Sequence, residues 1–163
     1  DDDAVLLGRV DLRFDIPDKP LRTVIDREMF HRVLVNVVQN AAQALRDARG
    51  KNHQGKLGAI AIAARSDRTA HVIDIDDDGP GISEAVRDQL FDPYVTTKHD
   101  GTGLGLTIVK KIIVDHGGTI DALVSPLGGA RFEIRLPKEG TPEAQAALDR
   151  SMQAKSSEGA EVG

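Results

Sequence analysis

The sequence predicts an α/β domain, and three observations predict it. Apolar residues alternate strictly in several short segments: Val10-Leu12-Phe14-Ile16, Ile60-Ile62, Ile73-Ile75 and Phe132-Ile134-Leu136. Two longer stretches, from Arg27 to about Ala48 and from Leu104 to His116, repeat at helical spacing instead. Turn-forming residues separate these segments, among them Pro17, Pro20, Gly79-Pro80-Gly81, Gly117-Gly118 and Pro126 to Gly129.

Taken in order, Val10 to Ile16 reads as a half-buried strand stopped by Pro17 and Pro20. Leu21 to Ile25 is expected to add a short second strand. Asp26 has the character of an N-cap, with Glu28 in the first turn of the helix that follows. On that helix Phe30, Leu34, Val37, Val38, Ala41 and Leu45 form one stripe, and Asn36 and Asn40 share a face at i, i+4 spacing. Asparagine gains little in a helix interior, so two beside an apolar edge call for a reason beyond a solvated face. Ala59 to Ala64 and Val72 to Asp77 are the next strands. In the second, Ile73, Ile75 and Asp77 share one face, and Asp74 and Asp76 the other. Asp77 is therefore expected to point inward, which is costly unless the carboxylate is hydrogen-bonded. Ser83-Glu84 starts a short helix to Leu90, and Phe91 to Asp100 has no clear period. The helix Leu104 to His116 turns Ile108, Val109, Ile112 and Ile113 inward and stops at Gly117-Gly118. Strands at Thr119 to Val124 and about Phe132 to Leu136 complete the fold. After Lys138 the composition is polar, and one or two exposed helical turns with a disordered end are expected. Two units follow: a domain over 1–138 and a polar tail over 139–163.

Composition limits the function. The chain has 163 residues, a formal net charge of -5 and no cysteine, which rules out disulfides and thiolate metal sites. No basic cluster stands out and aromatic residues make up only 3%, so nucleic acid is not the expected partner. There is no signal peptide and no run fit to span a membrane, so no direct membrane contact is expected and a cytoplasmic setting is. The opening Asp1-Asp2-Asp3 lacks a methionine, and the chain is expected to be part of a longer protein.

Three stretches carry chemistry. Gly101-Thr102-Gly103-Leu104-Gly105-Leu106 places three glycines at the start of a helix, whose free N–H groups and positive dipole end form an anion site. No Gly-Lys-Ser/Thr follows, so it is not a Walker loop, and no hydrophobic strand precedes it, so it is a poor dinucleotide fingerprint. By itself it reads equally well as a glycine-rich turn before a core helix. Upstream lie Asp77-x-Gly79-x-Gly81 and Asn36-xxx-Asn40-Ala41.

In this order the motifs resemble the ATP-binding catalytic domain of sensor histidine kinases, within the superfamily of gyrase, the Hsp90 chaperones and the mismatch-repair MutL proteins. Leu90-Phe91-Asp92-Pro93-Tyr94 followed by Thr96-Thr97-Lys98 is similar to the phenylalanine box and lid of those kinases. The resemblance spans roughly residues 10 to 137, and the wording Gln39-Asn40-Ala41-Ala42-Gln43-Ala44-Leu45 and Pro93-Tyr94-Val95-Thr96-Thr97 is most like the nitrogen-regulation type. It implies a two-layer sandwich, a mixed and mostly antiparallel sheet of about five strands under three helices, with ATP between the helices and the lid. It implies that Asp77 accepts from the adenine amine, that Gly79 and Gly81 let the backbone pass close to the base, and that Ile82 lies against it. Asn40 would hold magnesium, with Asn36 a turn away beside the metal or its waters. Gly103, Leu104, Gly105 and Leu106 would hold the β- and γ-phosphates through their N–H groups. Lys98 would be a cationic partner of the γ-phosphate, and Tyr94, Thr97, Gly101 and Thr102 would complete the ATP site. Residues from Ser83 to Gly101 would form a lid that orders on nucleotide.

The chain departs from the family's pattern in three places. Gln43 stands where a lysine or arginine is frequent. Ala130 stands where a threonine often reaches adenine through water. No histidine (His31, His53, His71, His99, His116) lies in a phosphoacceptor motif. The expected partners are therefore a phosphoacceptor histidine domain of the same kinase and a downstream response regulator. This piece is expected to be a monomer and the intact kinase a homodimer. ATPases of the superfamily place a glutamate base where this chain has Asn36, which cannot take a proton, so transfer to a histidine is favoured over attack by water. A non-catalytic nucleotide-sensing module and a serine kinase of the same fold are the alternatives.

Overall fold

The computed structural model describes residues 2–93 and 105–160. The elements run α1 (Asp2–Leu7), β1 (Val10–Asp15), α2 (Arg27–Arg49), β2 (Gly58–Ser66), β3 (Ala70–Asp77), α3 (Glu84–Arg87), α4 (Gly105–Asp115), β4 (Thr119–Val124), β5 (Ala130–Pro137) and α5 (Pro142–Ala160). One five-stranded sheet has the order β1-β2-β3-β5-β4. Only β1 runs parallel to its neighbour β2, because α2 carries the chain back across the sheet between them. The other pairs are antiparallel.

The helical period over residues 27–49 decides how the two layers meet. Asp26 caps α2 by accepting from the Met29 N–H at 2.9 Å. The helix then buries Val33, Val37, Ala41, Ala42 and Leu45. From the sheet, Ile60, Ile75, Ile120, Phe132 and Ile134 meet this stripe, and Val109, Ile112 and Ile113 of α4 close the layer. Gly117, with φ of +79°, ends α4, and Gly118 donates to the Ile113 carbonyl at 2.9 Å. His116 ties the two helices: its Nδ1 lies 2.7 Å from the Ile112 carbonyl, and its Nε2 accepts from the Asp26 N–H at 3.1 Å.

The opposite face of the sheet is charged. Arg131 of β5 grips Asp76 of β3 with two hydrogen bonds of 2.8 and 2.9 Å, and Arg65 of β2 reaches Asp74 at 3.4 Å. Glu133 faces Asp74 across the strands. Burial and the Asp74 charge raise the Glu133 carboxyl above its ordinary range.

Three local expectations are corrected and one helix, α1, is added. β1 is not half-buried: it is an edge strand in which only Val10 is buried, and Leu12 and Phe14 on the same face, with Ile16 beyond them, are exposed. Leu21 to Ile25 is not a strand. Its polar groups are taken instead by Pro137, whose carbonyl accepts from Thr23 Oγ1, and by His71 and Glu139, which meet the Arg22 carbonyl. A helix, α1, precedes the first strand and buries Leu6. The polar C-terminal segment forms a 19-residue helix, α5, rather than one or two turns. Its buried side chains are only Ala144 and Ala147, and Ala147 lies against Gly117, so a narrow alanine seam docks it.

Candidate functional site

The site forms where the C-terminal end of β3, the middle of α2 and the first turn of α4 come together. Alternation along β3 sends Ile75 into the core and carries Asp77 to the same side, where it is 3% exposed. Asp77 has no cationic partner among the described residues. Instead Oδ1 accepts from the Gly79 N–H at 2.9 Å and from the Ala130 N–H at 3.2 Å, while its own carbonyl accepts from the Gly129 N–H at 3.1 Å. Burial raises the Asp77 carboxyl above its ordinary value, the two N–H donors oppose this, and the charges of Asp78 and Asp76 add to it. The result is a buried acceptor whose orientation is fixed by main chain.

The glycines around it are needed for space. A Cβ on Gly79 would stand 3.0 Å from Asp77 Oδ1 and 3.2 Å from Leu45 Cδ2. Gly81 adopts φ of +77°, a conformation that disfavours any side chain, and it lies over the Gly129 carbonyl. Ile82 is partly buried against the core. Asp78, next in sequence, accepts from the Ala59 N–H at 2.9 Å, locking the end of β3 to β2 beside the site.

Asn36 and Asn40 are half-buried on α2. A Cβ on Gly105, at the start of α4, would stand 3.9 Å from Asn36 Oδ1, so the asparagine amide faces the end of α4 where main-chain N–H groups are free of helix partners. Leu106 packs partly against the core from the same turn. Thr107 donates to the Phe91 carbonyl at 2.9 Å. The Phe91 ring meets Phe132 edge-on at 6.3 Å, and Lys110 Nζ lies 5.4 Å from its centre. The phenylalanine of the sequence motif is therefore pinned to both α4 and the sheet. Tyr94, Thr97, Lys98, Gly101, Thr102, Gly103 and Leu104 lie outside the described residues.

The structure thus brings together Asp77, Gly79, Gly81 and Ile82 at one end and Asn36, Gly105 and Leu106 at the other. Sequence reasoning missed the contribution of the β4–β5 turn. Ala130 lacks the hydroxyl frequent at its position, yet its N–H holds Asp77. The only trace of this in the sequence is the Gly128-Gly129 pair, which reads as a turn and nothing more.

Residues 25–140 match the family described as histidine kinase-, DNA gyrase B- and HSP90-like ATPase. The C4-dicarboxylate transport sensor protein DctB of Rhizobium meliloti is 38% identical over 132 residues, covering 80% of this chain and 20% of that protein. The nitrogen regulation protein NtrY of Azorhizobium caulinodans is 39% identical over 147 residues, 85% of this chain and 18% of its own length. The chain thus spans about a fifth of the curated relatives it matches. Among solved structures, the nucleotide-free catalytic domain of histidine kinase ThkA aligns with a TM-score of 0.69 at 34% identity, over 84% of each chain. ThkA in complex with the response regulator TrrA aligns with a TM-score of 0.66 at 32% identity, covering 87% of this chain and 37% of that one. The chain belongs to the histidine kinase-, DNA gyrase B- and HSP90-like ATPase family, on the branch of the sensor histidine kinase catalytic domains.

Proposed function

We propose that this domain binds Mg-ATP and passes the γ-phosphate to a histidine on a separate dimerisation and phosphoacceptor domain of its kinase, for relay to a response regulator. The observation that carries the reading is Asp77: a buried carboxylate with no cation among the described residues, oriented by two N–H donors between two glycines. Such a group suits a neutral donor such as the amine of adenine. The lid residues Tyr94, Thr97 and Lys98, and the glycine turn from Gly101, supply the remaining contacts to the nucleotide in this reading.

The phosphate end fits magnesium in its donor chemistry. Asn36 and Asn40 offer neutral amide oxygens on one half-buried helix face, directed in the case of Asn36 toward the start of α4. Magnesium takes oxygen ligands and keeps several waters, so Asn40 with Asn36 beside it is a sufficient protein share. Magnesium bound there would neutralise phosphate charge. The helix start at Gly105 would orient the β- and γ-phosphates, and Asn36, being neutral, would leave water without a base. Phosphoryl transfer depends mainly on positioning and charge neutralisation, so a histidine acceptor needs no base from this domain.

Among the described residues no helix is long and apolar enough to cross a membrane. We place this domain in the cytoplasm, as a monomer by itself and as part of a homodimer in the intact kinase.

Incubation with γ-labelled ATP tests the reading. The chain alone should hydrolyse ATP slowly and stay unlabelled. With its phosphoacceptor domain added, that domain should gain an acid-labile, base-stable phosphate. Rapid hydrolysis by the chain alone, or stable labelling on serine, would assign it to a different activity.

A further inference from the structure

The β4–β5 turn reaches the base end of the site through one residue. Ser125 N–H donates to the Gly129 carbonyl at 2.9 Å, and Gly128 N–H returns to the Ser125 carbonyl at 2.9 Å, closing the turn. Gly129 then touches Asp77 twice. Its N–H donates to the Asp77 carbonyl at 3.1 Å, and its Cα lies so close to the side chain that a Cβ would stand 2.2 Å from Oδ1. The same Cβ would stand 2.5 Å from the Asp77 carbonyl oxygen and 2.6 Å from the Gly79 nitrogen. Gly129 φ lies outside the left-handed region, so backbone conformation does not demand glycine here. Only the space taken by Asp77 and Gly79 does.

We propose that Gly129 is a specificity-determining positioning residue of the nucleotide site, one that acts through Asp77 without touching the base. Its bare Cα lets Asp77 swing Oδ1 back onto the Gly79 and Ala130 N–H groups. Among the described residues the side-chain hydrogen bonds of Asp77 all fall on Oδ1, so Oδ2 is left to accept from the exocyclic amine. A methyl group at Gly129 displaces Oδ1 from both donors and turns the acceptor away from the base. The partner chemistry selected is a purine nucleotide carrying an amine at the position facing Asp77. This rests on the reading of Asp77 as the base contact.

The test compares affinity for ATP with affinity for the purine riboside triphosphate that lacks the amine, in the parent chain, in Gly129→Ala and in Gly128→Ala. Gly128 has φ of +100° and no atom within 4 Å of its Cβ position, so Gly128→Ala strains the same turn without crowding Asp77. The parent should prefer ATP by about tenfold or more, the size of one hydrogen bond. Gly128→Ala should lower thermal stability and keep that preference. Gly129→Ala should bring the ratio close to one by losing ATP affinity while affinity for the amine-free analogue stays near the parent's. A preserved ratio in Gly129→Ala overturns the inference alone. A parent that binds both nucleotides equally overturns the Asp77 reading, and one that binds neither overturns the proposed function. Should Gly129→Ala not fold, Gly79→Ala crowds the same oxygen less severely, at 3.0 Å. It should then lower the ratio in part, and an unchanged ratio there counts against the inference.

Discussion

Asp76 and Asp77 are neighbours in the chain, both nearly fully buried, and they do opposite things. Asp76 points to the charged face of the sheet and is 6% exposed under the guanidinium of Arg131, which holds both of its oxygens. Asp77 points to the helix layer, is 3% exposed and has no cation among the described residues; main-chain N–H groups hold one oxygen. A buried carboxylate neutralised by a bidentate arginine is complete as it stands. One oriented by N–H donors on a single oxygen still has accepting capacity, and that spare capacity is what a ligand can use. On the proposed reading Asp76 is a structural carboxylate and Asp77 a ligand-binding one, and the accepting capacity left on each is what separates them.

The largest difference should appear in stability. Asp76→Ala removes the bidentate partner of Arg131 and leaves it only the longer 3.6 Å pair with Asp74. Because the Arg131 side chain keeps 23% exposure, the cost should sit near or below the low end for buried pairs, about 2–3 kcal/mol by denaturant midpoint, with ATP affinity unchanged.

Asp77→Asn should behave the other way. The folded-state carboxyl is raised above its ordinary 3.8, so ionising it opposes folding as pH climbs from 3.8 through the raised value. At neutral pH the neutral amide should therefore leave stability unchanged or slightly higher, by about 0–1 kcal/mol. The same shift predicts that ATP affinity in the parent, where the charged form is the better acceptor, weakens as pH falls through this raised range. The Asp77→Asn variant should lose that limb of the pH profile. Equal destabilisation by the Asp76 and Asp77 variants would erase the distinction between them.

At the phosphate end a smaller effect is expected. Asn40→Asp should disturb magnesium-dependent binding more than Asn36→Ser, since it changes the charge of the residue proposed to hold the metal. Titration of each variant with ATP at several magnesium concentrations measures this, and parent-like curves in both would remove α2 from the site.

Much of the fold and part of the site are legible in the order of the residues. Apolar alternation locates four of the five strands; in β2, β3 and β5 it does so because a strand with one face in a core repeats at period two, whereas in β1 only Val10 of the alternating residues is buried. The same alternation turns Asp77 inward, and the i, i+4 spacing puts Asn36 and Asn40 on one face. What the sequence conceals depends on contacts between distant segments. Arg131 and Asp76 meet only through the β3–β5 register. Gly129 looks like any turn glycine until the turn is seen pressing on Asp77. The apolar residues of Leu21 to Ile25 suggest a strand, but hydrogen bonds to Pro137, His71 and Glu139 hold that segment outside the sheet. Helix α5 is easily underestimated because alanines, the smallest of apolar side chains, make its docking seam.

Titration of Mg-ATP into the parent, Asp76→Asn and Asp77→Asn asks whether Asp77 reads the base, as proposed. In Asp77→Asn, the Gly79 and Ala130 N–H groups should capture the amide oxygen and turn the NH₂ toward the adenine amine, setting donor against donor. The parent and Asp76→Asn should each bind one ATP per chain, and a folded Asp77→Asn should bind it about tenfold to a hundredfold more weakly. Parent-like affinity in Asp77→Asn would contradict the proposed base contact.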